Sequence, residues 1–91
     1  MVDLYKIIIY TDGDIHKSKF ETYPEVKLND YYAEWIVAAP YLLNLIDDIK
    51  KSITNTKLDA LLYVIDHVNF RKTKSIKLEN GNYSFELIKL K

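Results

Sequence analysis

The stretch from Tyr31 to Ile53 constrains this chain more than any other. Its apolar residues Tyr32, Trp35, Ala39, Leu42, Ile46, Ile49 and Ile53 are separated by alternating steps of three and four. That spacing lays one seam along an α-helix and predicts the longest helix of the chain. The first half is too apolar for a single buried face, because between Tyr31 and Ile46 only Glu34 and Asn44 are plainly polar. Tyr31, Ala38, Tyr41 and Leu45 make a second stripe on the far side. A helix that is apolar all round needs cover on more than one side. Pro40 removes the amide that would bond back to Ile36, so it kinks the helix or begins a second piece. The seam keeps its phase across Pro40, which favours one kinked helix.

The flanking segments read as strands. Leu4 to Tyr10 is apolar and β-branched, and Thr11-Asp12-Gly13-Asp14 closes it as a turn. Centring a hairpin on Asp12-Gly13 pairs Tyr10 with Ile15 and Tyr5 with Phe20. Tyr5, Ile7, Ile9 and Phe20 then share one face; Leu4, Ile8, Tyr10 and Ile15 mix with Lys6, Lys17 and Lys19 on the other. Pro24 makes 23–28 a connection, and Asn29 or Asp30 caps the long helix. After a tight link ending in Thr56, a second helix from Lys57 to Val68 buries Leu58, Leu61, Leu62, Ile65 and Val68. It packs antiparallel to the first. Asn80-Gly81 predicts a type I′ hairpin that pairs Leu78 with Tyr83 and Ile76 with Phe85. Ile76, Leu78, Tyr83, Phe85 and Leu87 then line one face. Leu87-Ile88 breaks the alternation, which implies a bulge or a strand covered on both faces. The order ββααββ predicts one α+β domain over residues 1–91. It is a two-layer sandwich, with a four-stranded antiparallel sheet covered by a helical hairpin and the strands at Ile7–Ile9 and Phe85–Ile88 in its centre. Tyr5 to Phe20, a strand, the Thr-Asp-Gly-Asp turn and a second strand ahead of a helix, is similar to the opening of BTB-type adaptor domains. The C-terminal Asn-Gly hairpin departs from those folds, which close with helices, and no family is assigned.

Candidate chemistry is sparse. The chain has no cysteine, which removes disulfides, thiolate chemistry and most structural zinc sites, and which fits a reducing, cytoplasmic setting. Asp12, Asp14 and His16 alternate across the first turn, but as turn residues more than as metal ligands. His67 has no nucleophile at a recognisable spacing, and the serines lack a glycine-flanked elbow. Both glycines sit in turns, so no phosphate-cradling loop is available. The chain reads as no enzyme, with no metal and no cofactor. A membrane span needs ~20 apolar residues, and the run before Asp47 is shorter and holds Glu34. The N-terminus shows no basic-then-apolar leader.

Function is therefore read from the apolar excess. The expectation is a small non-catalytic interaction module, docking a second copy or another protein through Tyr31, Ala38, Tyr41 and Leu45. Its richness in Ile, Lys, Asn and Tyr fits AT-rich coding, and with it an inhibitor or accessory factor of a virus or mobile element. The alternative is a nucleic-acid-binding accessory protein. Net charge is zero, yet residues 56–91 hold seven basic against four acidic side chains. Arg71, Lys72, Lys74 and Lys77 form the one basic run, and the strand lysines Lys6, Lys17 and Lys19 are a thinner case of the same kind.

Overall fold

The computed structural model describes residues 3–15, 20, 25–52, 56–66 and 75–90. Its strands are β1 (Leu4–Tyr10), β2 (Glu25–Leu28), β3 (Tyr32–Ala38), β4 (Ser75–Asn80) and β5 (Tyr83–Lys89), and its helices α1 (Ala39–Ser52) and α2 (Thr56–Asp66). The strands form one five-stranded antiparallel sheet in the order β2-β3-β1-β5-β4. The general class is α+β, as expected, but there are five strands, and they are differently placed.

The largest correction concerns the supposed long helix. Residues 32–38 are strand β3, and the helix begins only at Ala39. Tyr32-Ala33-Glu34-Trp35-Ile36-Val37-Ala38 is rich in β-branched and aromatic side chains, which fit a pleated surface better than a helix. Pro40 sits in the first turn of α1, where a missing N–H costs nothing, and the Ala39 N–H donates to Asp3 O at 2.9 Å. Strand thus passes into helix without a loop. The apparent seam is a coincidence of two periods: Trp35 points inward from a strand, and Leu42, Ile46 and Ile49 point inward from a helix.

The expected first hairpin is also absent. β1 pairs with β3 along one edge and with β5 along the other, for example Ile7↔Trp35 and Ile7↔Leu87. A strand has only two edges, so β1 has none left for a hairpin partner. Gly13 does turn the chain at a positive φ of 86°. The segment after β1 is stitched instead to the loop before β3: Thr11 N–H donates to Tyr31 O at 2.8 Å and Ile15 N–H to Asp30 O at 3.3 Å. Residues 16–19 lie outside the described residues, and the Phe20 ring packs tilted against Trp35 with centroids 5.0 Å apart. Glu25–Leu28, read as a connection, is the short edge strand β2. Asn29 has the capping chemistry expected of it, but on a turn between strands. Its Oδ1 accepts the N–H groups of Tyr31 and Tyr32, both at 2.9 Å.

One face of the sheet carries Tyr5, Ile7, Ile9, Ala33, Trp35, Val37, Tyr83, Phe85 and Leu87, and both helices cover it with Leu42, Leu45, Ile46, Ile49, Leu58, Leu61 and Leu62. The face assigned to the C-terminal hairpin is therefore the right one. Its register is displaced, with Asn80↔Tyr83, Leu78↔Phe85 and Ile76↔Leu87. The slip is by two residues, so every side chain keeps its face. Gly81 and Asn82 make the turn; Gly81 has φ +64°, and among the described residues none but glycine has a positive φ. That matches a type II′ turn with glycine in the first central position, in place of the expected type I′. No register shift accompanies Leu87-Ile88, and Ile88 is half-buried on the opposite face. Asn80 Nδ2 donates to Lys57 O at 3.2 Å and ties this turn to the start of α2.

Gly81→Val should destabilise the fold by about 1 kcal/mol or more, because a β-branched residue is strained at that φ. A side chain there also meets Lys57 Nζ at 2.9 Å, a contact the flexible ammonium can yield. Chemical denaturation checks it, and equal stability with the parent contradicts the turn assignment.

Candidate functional site: the open face of the sheet

With the helices on one side, the alternate side chains of every strand point to the other. At the level of Ile8 the sheet reads from edge to edge Lys27, Glu34, Ile8, Glu86, Lys77. The next level holds Ile36, Lys6 and Ile88, and beyond it Leu4 faces Ala38. Towards the other end lie Tyr32, Tyr10 and Ser84. An antiparallel sheet packed on one face normally turns polar residues to water on the other. Here the outward positions of β1 and β3, two of the three inner strands, are half apolar.

A polar cluster lies in the middle of this face. Glu34 is only 7% exposed although neither described helix packs on this face. Its Oε1 takes the Lys6 ammonium at 3.2 Å and accepts the Tyr32 hydroxyl at 3.0 Å. The Tyr32 ring meets Tyr10 edge-on, with centroids 4.8 Å apart, and Tyr10 is 51% exposed. Tyr32 is pushed up to about 12, chiefly by desolvation and then by its bond to Glu34 and the nearby carboxylates. A tyrosine held protonated in this way donates a hydrogen bond at neutral pH and is a poor acid or nucleophile. The cluster therefore fixes side-chain positions on an amphipathic surface.

The residues expected to form an interface do not come together. Leu45 is 0% exposed and belongs to the core, Tyr41 is 60% exposed in the first turn of α1, and Tyr31 is 61% exposed in the loop before β3. Ala38 ends β3 on the open face. The four were joined by a helix that does not extend across them. Lys77 is exposed on β4, with Nζ 3.6 Å from Glu79 Oε1; Arg71, Lys72 and Lys74 lie outside the described residues. So do His16 and His67. Asp14 accepts a hydrogen bond from the Tyr83 hydroxyl. Among the described residues, no three His, Cys, Asp or Glu side chains are grouped so as to hold a metal ion, and no helix is long and apolar enough to cross a membrane. Glu34, Tyr32, Ile36 and Ile88 were missed as site residues. The signal for Ile88 is the period of two in 83–88; in 32–38, apolar on both faces, it is only the β-branched and aromatic content. Compared with known protein families, with curated proteins and with solved structures, the chain finds no match.

Tyr83 is likewise pushed up to about 12, first by its bond to Asp14 and then by burial. The folded chain thus holds both phenolic protons more tightly than the unfolded chain, where tyrosine titrates near ~10. The stability this contributes is fully present below about pH 10 and is lost as pH rises toward 12. An ultraviolet titration should show late-ionising tyrosines whose titration accompanies alkaline unfolding, and Tyr32→Phe with Tyr83→Phe should remove that late group. Ionisation of every tyrosine near 10 in a chain that stays folded contradicts the two hydrogen bonds.

Proposed function

We propose that this protein is a small non-catalytic interaction module that docks another protein on the open face of its sheet. The observation that carries the reading is the half-apolar character of that face. Leu4, Ile8, Ile36 and Ile88 are half-buried there with no helix of the described residues above them, and Tyr10 and Tyr32 stand at one end. Apolar area of this kind on a polar-rimmed surface is typical of contact sites, and tyrosine is enriched in them. Among the described residues of this face, Lys6, Lys27 and Lys77 are balanced by Glu34, Glu79 and Glu86. A polyanion would meet as much repulsion as attraction, whereas a protein surface of mixed charge can match the pattern. Among the described residues of this face the perturbed side chain is a tyrosine held protonated, which suits positioning better than proton transfer. An accessory or inhibitory role fits a module of this kind.

The test uses Ile36→Thr with Ile88→Thr, which keeps β-branched residues on both strands and removes apolar area. The parent protein, immobilised, should retain a protein from extracts of its own source. Tyr41→Ser, on the exposed side of α1, should retain it equally, and the threonine pair should bind roughly tenfold more weakly or worse. Equal capture by the threonine pair, or no capture by the parent, overturns the reading. Tight, salt-sensitive binding of a mixed DNA and RNA pool would point instead to nucleic acid.

A further inference from the structure

The two edges of the sheet are built differently. β2 has four residues, and its register with β3 shifts between Glu25 and Lys27. A short, irregular strand is a poor template for another chain. β4 has six residues, contains no Pro or Gly, and keeps an unbroken register with β5 from Ser75↔Ile88 to Asn80↔Tyr83. It is the outermost strand of the order, with β5 as its only strand neighbour among the described residues. In a hairpin with a two-residue turn, the closing pair, here Asn80 and Tyr83, exchanges hydrogen bonds, and bonded pairs alternate from there. Asn80, Leu78 and Ile76 therefore bond to β5. The amides and carbonyls of Ser75, Lys77 and Glu79 point to the outer edge.

We propose that two copies of this chain pair antiparallel along β4, with Leu78 opposite Leu78 of the second copy. A hydrogen-bonded antiparallel partner must bring its own outward residues opposite these. Lys77 then faces Ser75, Lys77 or Glu79 of the second copy. The first choice leaves the charge unmatched and the second sets like charges against each other. The third sets Lys77 against Glu79, and two-fold symmetry repeats the pair on the other side of the axis. Within one chain, Lys77 and Glu79 are already 3.6 Å apart, but both are well exposed and that pair is weak. The chosen register exchanges it for two cross-strand pairs. It also places Leu78 on the two-fold axis and Ile76 opposite Asn80. Ile76 and Leu78 face the helices but are only partly buried at the margin of the core. A second copy supplies the missing cover. The axis runs through the sheet, so both pairs of helices lie on one side and both open faces on the other.

Sedimentation at low salt should give the parent a mass twice that of one chain. Lys77→Glu and Glu79→Lys should each raise the dissociation constant roughly tenfold or more, since either change makes both cross-strand pairs repulsive. Mixing these two variants should restore a dimer containing one of each, and Lys77→Glu with Glu79→Lys in one chain should restore self-association. Lys77→Pro removes an outward N–H, a substitution an edge strand tolerates, and should give a folded monomer. Ile36→Thr with Ile88→Thr, on the open face, should leave the dimer intact, so this interface and the open-face reading fail separately. A parent that stays monomeric up to millimolar concentration overturns the proposal. So does a dimer indifferent to both charge reversals, or a failure of the mixed variants to associate.

Discussion

The fold depends on β1 being bonded along both of its edges. Tyr5, Ile7 and Ile9 are each at most 1% exposed, and their backbones lie between β3 and β5. A central strand of this kind satisfies its amides and carbonyls only when both neighbours are present. Neither neighbour is next to it in sequence, since β2 precedes β3 and both helices precede β5. The sheet must therefore close long loops before its central pairings reward it, which slows folding relative to a helical chain of similar size. The junction at Ala39 belongs to the same constraint. The Asp3 carbonyl, just before β1, accepts the first amide of α1, so the strand entering the centre also fixes where β3 becomes helix.

The legible parts of the sequence were those where local chemistry and burial agree. Asn80-Gly81 lies between two alternating runs, and the face bearing Tyr83, Phe85 and Leu87 follows whether the turn centres on Asn80 or one residue later. Leu58, Leu61 and Leu62 likewise occupy one side of α2 as their spacing requires. The misreadings have a common cause: period assigns residues to faces, but pairing is decided elsewhere. Asp12-Gly13 offers a turn, and the strand before it found partners far along the chain. In 32–38 both faces of the strand are largely apolar, so the alternation that marks a strand is weak and steps of three and four can be threaded through it. Asn29 shows the same limit at one residue. An Oδ1 that accepts two amides ahead of it serves a helix start and a strand-to-strand turn equally well.

The candidate site was hidden for a related reason. The apolar excess around Tyr32–Ile36 is a property of an inner strand, and what it leaves over appears on the open face of the sheet. Lys6, Tyr32 and Glu34 meet only because β1 and β3 are neighbours in that register, with Lys6↔Ile36 and Ile8↔Glu34 bringing the diagonal pair together. A carboxylate as covered as Glu34 needs its two donors, and losing either would leave a largely desolvated charge underbonded. This ties the surface pattern to the stability of the central strands, so the face cannot be altered freely at its middle. Its rim positions, Tyr10 and Lys77, carry no such cost.

The charge pattern also bears on what can cover the open face. The level of Ile8 is nearly symmetric about β1, with acidic Glu34 and Glu86 inside and basic Lys27 and Lys77 outside. If two copies stacked open face to open face with β1 over β1, Glu34 would lie over Glu34 or Glu86 and Lys27 over Lys27 or Lys77, whichever way the strands ran. Like charges facing each other across a sheet interface are unfavourable. Aligned self-stacking is thus opposed by the residues that a different protein, with cations above the acidic pair, would find attractive. Along β4 the alternation Lys77-Leu78-Glu79 has the opposite consequence, because an antiparallel copy brings unlike charges together. The same side-chain chemistry therefore disfavours an aligned second copy over the face and favours the proposed pairing at the edge.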